Sequence, residues 1–297
     1  MKATGILKPE YLLRPGNVIA RLRYADTARL PRPMTIALHG APFRIDPTEV
    51  IGRHILHFGL FDLLVTEALM RLAEPSECAV DVGANIGYMS RVLARAVGPQ
   101  GRVIAFEPHP AIHAELLLNT AGTCVTAHQA AVSEREGTAE LHVPRSFDGN
   151  HGIASLEASG DDGEMVPVQC LTLDQVLSGE PAIGVLKIDI EGHELAALRG
   201  AETLLRARRI RDIVFEEHRP ENSPVVRYLA DLGYALFRLE KRFTGPRLAP
   251  ADAQVSLNGW ESPAFLATAD PARAQARLAP AGWSALARQG RPKSAGA

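Results

Sequence analysis

Cysteine is scarce in this chain of 297 residues, and its three copies are widely separated. Cys78, Cys124 and Cys170 form no Cys-x-x-Cys pair, which argues against a zinc site or a disulfide framework. No apolar run approaches the ~18 residues of a membrane-spanning helix. The N-terminus also lacks the apolar core of a secretory signal. From these absences we expect a soluble protein of the reducing cytoplasm.

A large excess of charge of either sign is also missing. The formal net charge is −2, and acidic and basic residues are mixed along the chain. Proteins that bind nucleic acid usually carry a basic stripe, so we expect no nucleic-acid partner. The hydrophobic fraction of 46% is that of an ordinary globular protein with a substantial core.

What the sequence does contain is an alternation of strand-like and helix-like segments. We predict strands and helices in turn over residues 78–82, 87–97, 102–106, 110–119, 124–128, 183–189, 192–207, 211–216 and 225–232. This alternation is typical of a doubly wound α/β fold, in which helices cover both faces of a mostly parallel sheet. Two further strands, at 234–239 and 264–268, are expected to form an antiparallel pair at the sheet edge.

Three other regions flank or interrupt this pattern. Residues 1–50 are interpreted as an N-terminal extension that ends in a β-hairpin, with strands at 34–38 and 41–45. Residues 144–165 are rich in Gly, Ser and Asp, and they form either a floppy surface insertion or a lid over the site. Residues 286–297 are expected to be a disordered tail.

A glycine-containing turn follows the first of the alternating strands. The segment reads Asp-Val-Gly-Ala-Asn-Ile-Gly over residues 81–87. Gly83 permits a positive φ and a close approach of the backbone to a ligand, and Gly87 lets the helix approach the strand tightly. Ligands of open parallel sheets bind beyond the carboxyl ends of the strands, where the strand order reverses. The turn is therefore predicted to lie at a nucleotide-type site.

Glu107 supplies a second feature of such a site. It follows the next strand, 24 residues after Gly83. An acid about 20 residues beyond the glycine turn commonly binds the two ribose hydroxyls of a nucleotide. Together the turn and the acid indicate an adenosine-containing cofactor. The plainer interpretation is an ordinary strand-to-helix turn followed by a solvated glutamate.

The residues of the turn favour S-adenosylmethionine over a dinucleotide. A dinucleotide site requires Gly-x-Gly-x-x-Gly, whereas Asn85 replaces the middle glycine here and the spacing is one residue shorter. Asp81 is expected at the mouth of the turn, where a carboxylate repels a pyrophosphate and attracts an ammonium group. An NAD(P)-dependent oxidoreductase stays open as the alternative.

Four segments in this order resemble the FkbM-type methyltransferases: residues 81–88, 103–108, 186–194 and 215–218. The resemblance extends over roughly residues 50 to 270. It implies a class I methyltransferase, Rossmann-like fold over residues 51–285, which transfers methyl groups mostly to hydroxyl oxygens. In such families the acceptors include sugars and polyketide-type natural products.

The resemblance also implies positions for the cofactor. Gly83, Asn85 and Gly87 would hold its methionine end, and Glu107, with Pro108 next to it, would bind the ribose. Ala131, within the segment 130–132, would border the adenine. The N-terminal fifty residues and the 144–165 loop are less similar to the family, and we expect acceptor specificity to lie there.

The catalytic step requires a group that accepts the proton of the acceptor hydroxyl. His218, with an ordinary pKa of about 6.5, is our candidate for this general base, although it could be a rim histidine with a local hydrogen bond only. Asp189 and Glu217 end neighbouring strands and are expected at the same rim, where Asp189 would orient the acceptor or the cofactor amine. These three residues could also bind a divalent cation, but no spacing requires it, and we predict no metal.

The remaining polar residues near these strands have simpler explanations. Glu191 and Glu194 are expected to complement the dipole of the helix that they begin. Lys187 lies inside an apolar strand, so we interpret it as a structural residue with a carboxylate partner. Asn150, His151 and Ser155 are candidate contacts of the acceptor.

The sequence therefore predicts an O-methyltransferase that acts on a hydroxyl of a glycan or a secondary metabolite. Besides the NAD(P) enzyme, the alternatives are an N-methyltransferase of a small molecule or peptide and a binding module without catalytic activity.

Overall fold

The computed structural model describes residues 8–156, 163–217, 223–253 and 263–287. Its helices are α1 (Pro9–Leu12), α2 (Gly16–Arg23), α3 (Val50–Phe58), α4 (Leu63–Leu72), α5 (Tyr88–Val97), α6 (Pro110–Thr120), α7 (Leu173–Val176), α8 (Glu194–Arg199), α9 (Glu202–Arg206), α10 (Pro224–Asp231), α11 (Pro271–Leu278) and α12 (Ser284–Ala287). None of these described helices is both long enough and apolar enough to cross a bilayer.

The strands fall into one large and two small sheets. They are β1 (Met34–Leu38), β2 (Ala41–Ile45), β3 (Cys78–Val82), β4 (Arg102–Phe106), β5 (Val125–His128), β6 (Ala131–Val132), β7 (Gly137–Pro144), β8 (Gly163–Leu171), β9 (Ile183–Ile188), β10 (Ile210–Glu216), β11 (Ala235–Arg242), β12 (Gly245–Pro250) and β13 (Ala264–Thr268). The large sheet has the order β12-β11-β13-β10-β9-β3-β4-β5.

The large sheet confirms the predicted doubly wound fold. Strands β5, β4, β3, β9 and β10 run parallel, and β13 joins β10 in the antiparallel sense. β11 and β13 form the predicted antiparallel pair, and β12 extends it by one strand. The chain proceeds from β3 to β4 and β5 on one side and then returns to β9 on the other. The strand order thus reverses beside β3, which is where an open sheet leaves a crevice for a ligand.

Burial on both faces explains why the central strands read as continuous apolar runs. Every residue of β3 and β9 is buried. One core lies between the sheet and α3, α4 and α5, and the other lies between the sheet and α7 to α10. Val80 and Leu186 face the second core, whereas Ala79 and Val185 face the first. Helices on both faces leave the carboxyl ends of the strands as the open edge.

The N-terminal hairpin also forms as predicted. Leu38 pairs with Ala41 across the turn at His39-Gly40, and the alternating residues of both strands are buried. The guanidinium of Arg91 in α5 donates hydrogen bonds to the carbonyls of Leu38 and Pro42, at 3.4 and 2.6 Å. The hairpin is thereby attached to the helix that follows the glycine turn.

The helix predicted over 192–207 is instead divided into α8 and α9. The break falls at Gly200, where an added Cβ atom would lie 2.1 Å from the carbonyl oxygen of Ser133. The approach of this neighbouring segment leaves no room for a side chain. A three-stranded sheet, β6-β8-β7, supports the 144–156 loop, and α12 includes the first two residues of the predicted tail.

Candidate active site

A cavity of about 290 Å³ opens at the carboxyl ends of β3, β4, β9 and β10. Most of the residues predicted from the sequence line it, namely Gly83, Asn85, Glu107, Pro108, Ala131, Asn150, His151, Ser155 and Asp189. Asp81, Gly87 and Glu217 do not line it, and His218 lies outside the described residues. Nine of the residues selected from the sequence therefore lie together around this cavity, and Asp81, Gly87 and Glu217 lie outside its lining.

A glycine is required at position 83 because two strand-to-helix turns approach each other closely there. Its φ is +74°, and an added Cβ atom would lie 2.0 Å from the carbonyl oxygen of Asp189. Asn85 also adopts a positive φ, +48°, and its side-chain oxygen accepts a hydrogen bond from the N–H of Ile86 at 2.7 Å. The turn thus folds back over the crevice and exposes backbone to it.

Gly87 contributes to packing rather than to the cavity wall. Its φ is +89°, and an added Cβ atom would lie 2.8 Å from Leu116 and 3.1 Å from Thr120, both in α6. Gly87 does permit the close approach of another element, as the sequence predicts. The approaching element is α6, whereas we had expected the strand before the turn.

Glu107 is held in a defined orientation by the backbone. One carboxylate oxygen accepts a hydrogen bond from the N–H of Asn85 at 3.0 Å, and the other accepts one from the N–H of His109 at 2.9 Å. Burial raises the pKa of Glu107 to about 7, although both backbone hydrogen bonds lower it. Each oxygen keeps a lone pair that can accept a further hydrogen bond. The carboxylate is therefore suited to bind two neighbouring hydroxyl groups.

Asp81 does not lie at the mouth of the glycine turn, where we predicted it. It is fully buried in β3, where Ser90 Oγ donates a hydrogen bond to it at 2.6 Å and Lys187 Nζ lies 3.2 Å away. Asp81 and Lys187 are direct neighbours in the β3–β9 register, so a lysine inside the sheet neutralises the acid. Asp81 therefore lies inside the sheet, paired with Lys187, and does not line the cavity. Lys187 is structural, with a carboxylate partner, as the sequence indicates.

Lys187 also joins the two turns above the strands. Its ammonium group donates hydrogen bonds to the carbonyls of Gly83, at 2.8 Å, and Val82, at 3.4 Å. Asp189 Oδ2 lies 3.7 Å away, with its side chain 43% exposed. The Asp81 and Asp189 carboxylates outweigh the cost of burial and raise the pKa of Lys187. A charged Lys187 therefore links the glycine turn to the end of β9.

The end of β10 exposes a different acid from the predicted one. Side chains alternate along a strand, and Glu216 lines the cavity. The carboxylate of Glu217 accepts a hydrogen bond from Ser223, the residue before α10. Glu217 is therefore bound to the residue that precedes α10 and does not line the cavity, and its catalytic role stays a prediction.

Residues 150–156 form one wall of the cavity. The N–H of His151 donates to the Glu49 carboxylate at 3.3 Å, and Ser155 Oγ donates to the carbonyl of Glu191 at 2.9 Å. His151 Nδ1 is buried and has no hydrogen-bond partner among the described residues. These contacts favour the lid interpretation for this part of the 144–165 loop. Residues 157–162 lie outside the described chain.

Of the two acids predicted at the start of α8, Glu194 lies in the first helical turn and Glu191 does not. Glu194 lies in the first turn of α8, as expected, and its side chain also accepts hydrogen bonds from the N–H groups of Ile190 and Gly192, both at 3.2 Å. Glu191 precedes the helix, has a φ of +50° and lines the cavity. It therefore does not belong to the first helical turn.

Asp62 also lines the cavity and is not among the residues predicted from the sequence. It precedes α4 with a φ of +36°, a strained conformation for a residue with a side chain. Its Oδ1 accepts hydrogen bonds from the N–H groups of Leu64 and Val65, at 3.0 and 3.1 Å. Burial, supported by the nearby Asp189 charge, raises its pKa above the ordinary value. No motif marks this residue, because its position depends on how α4 packs beside the sheet.

The charges of the cavity suit a cationic ligand group. Five acids line it: Asp62, Glu107, Asp189, Glu191 and Glu216. Over the described ranges, Lys187 is the only lysine or arginine in its wall, and that lysine is paired with Asp81. A pyrophosphate would find no available strong cation, whereas an ammonium or sulfonium group would be stabilised. S-adenosylmethionine carries both groups and therefore fits this set of side chains.

No group of three His, Cys, Asp or Glu side chains within the described part of the chain is arranged to hold a metal ion.

Comparison with known proteins gives consistent matches. Residues 81–236, just over half of the chain, match the model of the methyltransferase FkbM domain. The hexuronic acid methyltransferase AglP of Haloferax volcanii is 28% identical over 214 residues, which cover 67% of this chain and 82% of that protein. The 31-O-demethyl-FK506 methyltransferase FkbM of Streptomyces tacrolimicus is 32% identical over 174 residues, or 48% of this chain and 66% of that protein.

Among solved structures, a SAM-dependent O-methyltransferase of Thermotoga maritima aligns with a TM-score of 0.41 and 16% identity. The alignment covers 76% of this chain and 73% of that one.

Proposed function

Since this chain belongs to the FkbM methyltransferase family, we propose that it transfers a methyl group from S-adenosylmethionine to a hydroxyl oxygen of a glycan or a secondary metabolite. Membership of the family makes it an S-adenosylmethionine-dependent methyltransferase with the class I fold, as the sequence predicts, and excludes the NAD(P) alternative. The acceptor class and the attacked atom are the proposed part.

The cofactor would be bound by three groups of residues. Glu107 would accept hydrogen bonds from both ribose hydroxyls, because its orientation is already fixed by two backbone N–H groups. Pro108 and Ala131 would border the adenine as apolar wall. Asp62 would hold the ammonium group of the methionine tail in place of Asp81, which is sequestered by Lys187.

The acceptor would enter between Asp189 and the 150–156 wall. The sulfonium of the bound cofactor supplies an electrophilic methyl group, so the chain must orient the hydroxyl and remove its proton. Asp189 is our proposed base, because its half-exposed carboxylate lines the cavity at the end of β9. Asn150, His151 and Ser155 would contact the acceptor from the opposite wall. The role of His218 stays a prediction.

The names of the relatives support a sugar or a natural product as the acceptor. AglP acts on a hexuronic acid, and the Streptomyces enzyme acts on 31-O-demethyl-FK506. One name specifies a sugar acid and the other a missing O-methyl group on a natural product. The observation that carries the proposal is the cavity itself, where five acids and no unpaired lysine or arginine of the described chain surround a space at the switch point of the sheet.

A binding comparison followed by an activity screen tests the proposal. The protein should bind S-adenosylhomocysteine and not NAD in calorimetry. Transfer from methyl-labelled cofactor should then be assayed on hexuronic-acid glycans, on hydroxylated polyketides and on matched amines and peptides. Labelling of an amine or peptide and of no hydroxyl compound would refute O-methylation.

The base assignment has its own pair of variants. With an active acceptor, Asp189→Asn should reduce kcat by roughly 10²- to 10⁴-fold, the range for loss of a general base. Asp231→Asn, an exposed acid at the end of α10, is the control and should retain wild-type kcat. Equal activity of both variants would exclude Asp189 as the base.

A further inference from the structure

The helical pair α1–α2 presents an unusual apolar surface to solvent. Five of the nine large hydrophobic side chains that are exposed in the described chain lie within eleven residues: Leu12 (45%), Leu13 (45%), Val18 (38%), Ile19 (66%) and Leu22 (72%). Helix α2 has no buried residue at all. Val18, Ile19 and Leu22 lie on one side of this helix because residues four apart share a helical face. A clustered apolar patch of this kind marks an interaction surface.

Basic side chains surround this patch. Residues 8–23 contain Lys8, Arg14, Arg21 and Arg23, and the only acid among them is Glu10. Glu10 is buried, and its carboxylate pairs with Lys241 of β11 at 2.6 Å. Arg21 and Arg23 are exposed on α2 between and beside the apolar residues. The exposed surface of the pair is therefore both apolar and positively charged.

The pair is anchored to the body of the protein by its other side. Tyr11 is 5% exposed, and its ring packs edge-on against Phe58 of α3 with ring centroids 5.1 Å apart. Within the pair, Asn17 Nδ2 of α2 donates a hydrogen bond to the carbonyl of Glu10 in α1 at 2.9 Å. The apolar side chains thus point outward from a docked element, and the remainder of the described chain leaves them uncovered.

We propose that α1–α2 places this protein on an anionic membrane surface, with the aliphatic side chains in the interface and the arginines against acidic headgroups. Interfacial helices combine an apolar face with Lys and Arg, and each such basic residue strengthens the attraction to an anionic leaflet. A second copy of the chain is disfavoured as the occupant, because it would bring two basic surfaces together. This proposal is independent of the identity of the methyl acceptor.

Vesicle co-sedimentation of the full chain tests the proposal. Binding is expected to vesicles of phosphatidylcholine with phosphatidylglycerol, to be much weaker with phosphatidylcholine alone, and to decrease as salt is added. Ile19→Asp/Leu22→Asp and Arg23→Glu should each weaken binding by roughly tenfold or more. Because α2 contains no buried residue, both variants should keep the wild-type thermal unfolding temperature and affinity for S-adenosylhomocysteine.

A matched control is available on α6, where Leu117 and Leu118 are 50% and 58% exposed. Leu117→Asp/Leu118→Asp should retain wild-type vesicle binding. Equal losses in the α6 and α2 variants, or no binding of the wild type to anionic vesicles, would overturn the proposal. Light scattering that shows a wild-type oligomer dissociated by the α2 substitutions would also overturn it and identify a protein interface.

Discussion

Lys187 Nζ lies 3.2 Å from Asp81 Oδ1 and 2.8 Å from the carbonyl oxygen of Gly83, inside the sheet and beneath the cavity. The pair joins β3 to β9 at the position where the strand order reverses. The acid of the glycine turn is consequently a structural residue, and the cavity has to supply its own acids for a cationic ligand. This relationship explains why Asp62, rather than Asp81, is the candidate to contact the methionine tail.

Removing one member of the pair should be costly. Lys187→Met leaves Asp81 as an uncompensated buried charge, and such losses cost about 3–5 kcal/mol. Lys187→Met/Asp81→Asn should regain most of this stability, because the new amide can still accept the hydrogen bond from Ser90. Urea unfolding of both variants measures the difference. A double variant no more stable than Lys187→Met would show that the buried charge is not the cause.

Alanine substitutions at Gly83 and at Gly98 together test whether position 83 has room for a side chain. Gly83 and Gly98 have nearly the same φ, +74° and +70°, but an added Cβ atom would meet Asp189 O at 2.0 Å at the first position and nothing within 4 Å at the second. Gly98→Ala should cost about 1–3 kcal/mol, because the combination of φ +70° and ψ −175° at this position is essentially restricted to glycine. Gly83→Ala should cost more and should weaken binding of S-adenosylhomocysteine. Identical unfolding and binding data for both variants would refute the close-approach explanation.

The parallel core of the fold was predictable because its strands are buried on both faces and read as short apolar runs between helices. β12 was not predictable in this way, since its sequence Gly-Pro-Arg-Leu-Ala-Pro contains two prolines. Prolines are tolerated there because β12 is an edge strand with one paired side. The local sequence pattern therefore predicted the strands at the centre of the sheet and missed the strand at its edge.

The site was predictable to the extent that motifs fix local geometry. Gly83, Asn85 and Glu107 line the cavity because a turn and the acid of the neighbouring strand are adjacent in any fold of this kind. The burial of Asp81 depends on Lys187, more than a hundred residues away, and on the register of β3 against β9. Asp62 likewise enters the cavity through the packing of α4. The local sequence pattern contains no information on the register of distant strands or on the packing of a helix beside the sheet.

Asp62 should discriminate between ligands with and without the amino-acid tail. Asp62→Asn removes the negative charge and keeps a good helix cap for α4. The dissociation constant of S-adenosylhomocysteine should increase by roughly 10- to 100-fold, the range for loss of a hydrogen bond to a charged group. 5′-Methylthioadenosine lacks the ammonium group, so its affinity should not change. Calorimetry with both ligands measures this, and equal weakening of both would show that Asp62 acts only on the shape of the cavity.

Glu107 should make cofactor binding depend on pH. Burial raises its pKa to about 7, and ribose hydroxyls donate hydrogen bonds most strongly to the ionised form. Since protonation of Glu107 competes with binding, affinity should be highest above the pKa and should decrease as the pH falls through it. Between about pH 8 and about pH 6, the dissociation constant of S-adenosylhomocysteine should increase roughly tenfold.

Glu107→Gln isolates this effect from the titration of nearby histidines. The variant cannot ionise, so it should bind S-adenosylhomocysteine more weakly at about pH 8, by about 1–3 kcal/mol, because the ribose hydroxyls lose a charged acceptor. Over the same range its affinity should be nearly constant, since no proton is lost or gained at this position. If the variant retained the wild-type pH dependence, another group, such as His109, whose backbone N–H donates to Glu107, would be responsible. A wild-type affinity in the variant at the higher pH would instead contradict the assignment of Glu107 to the ribose.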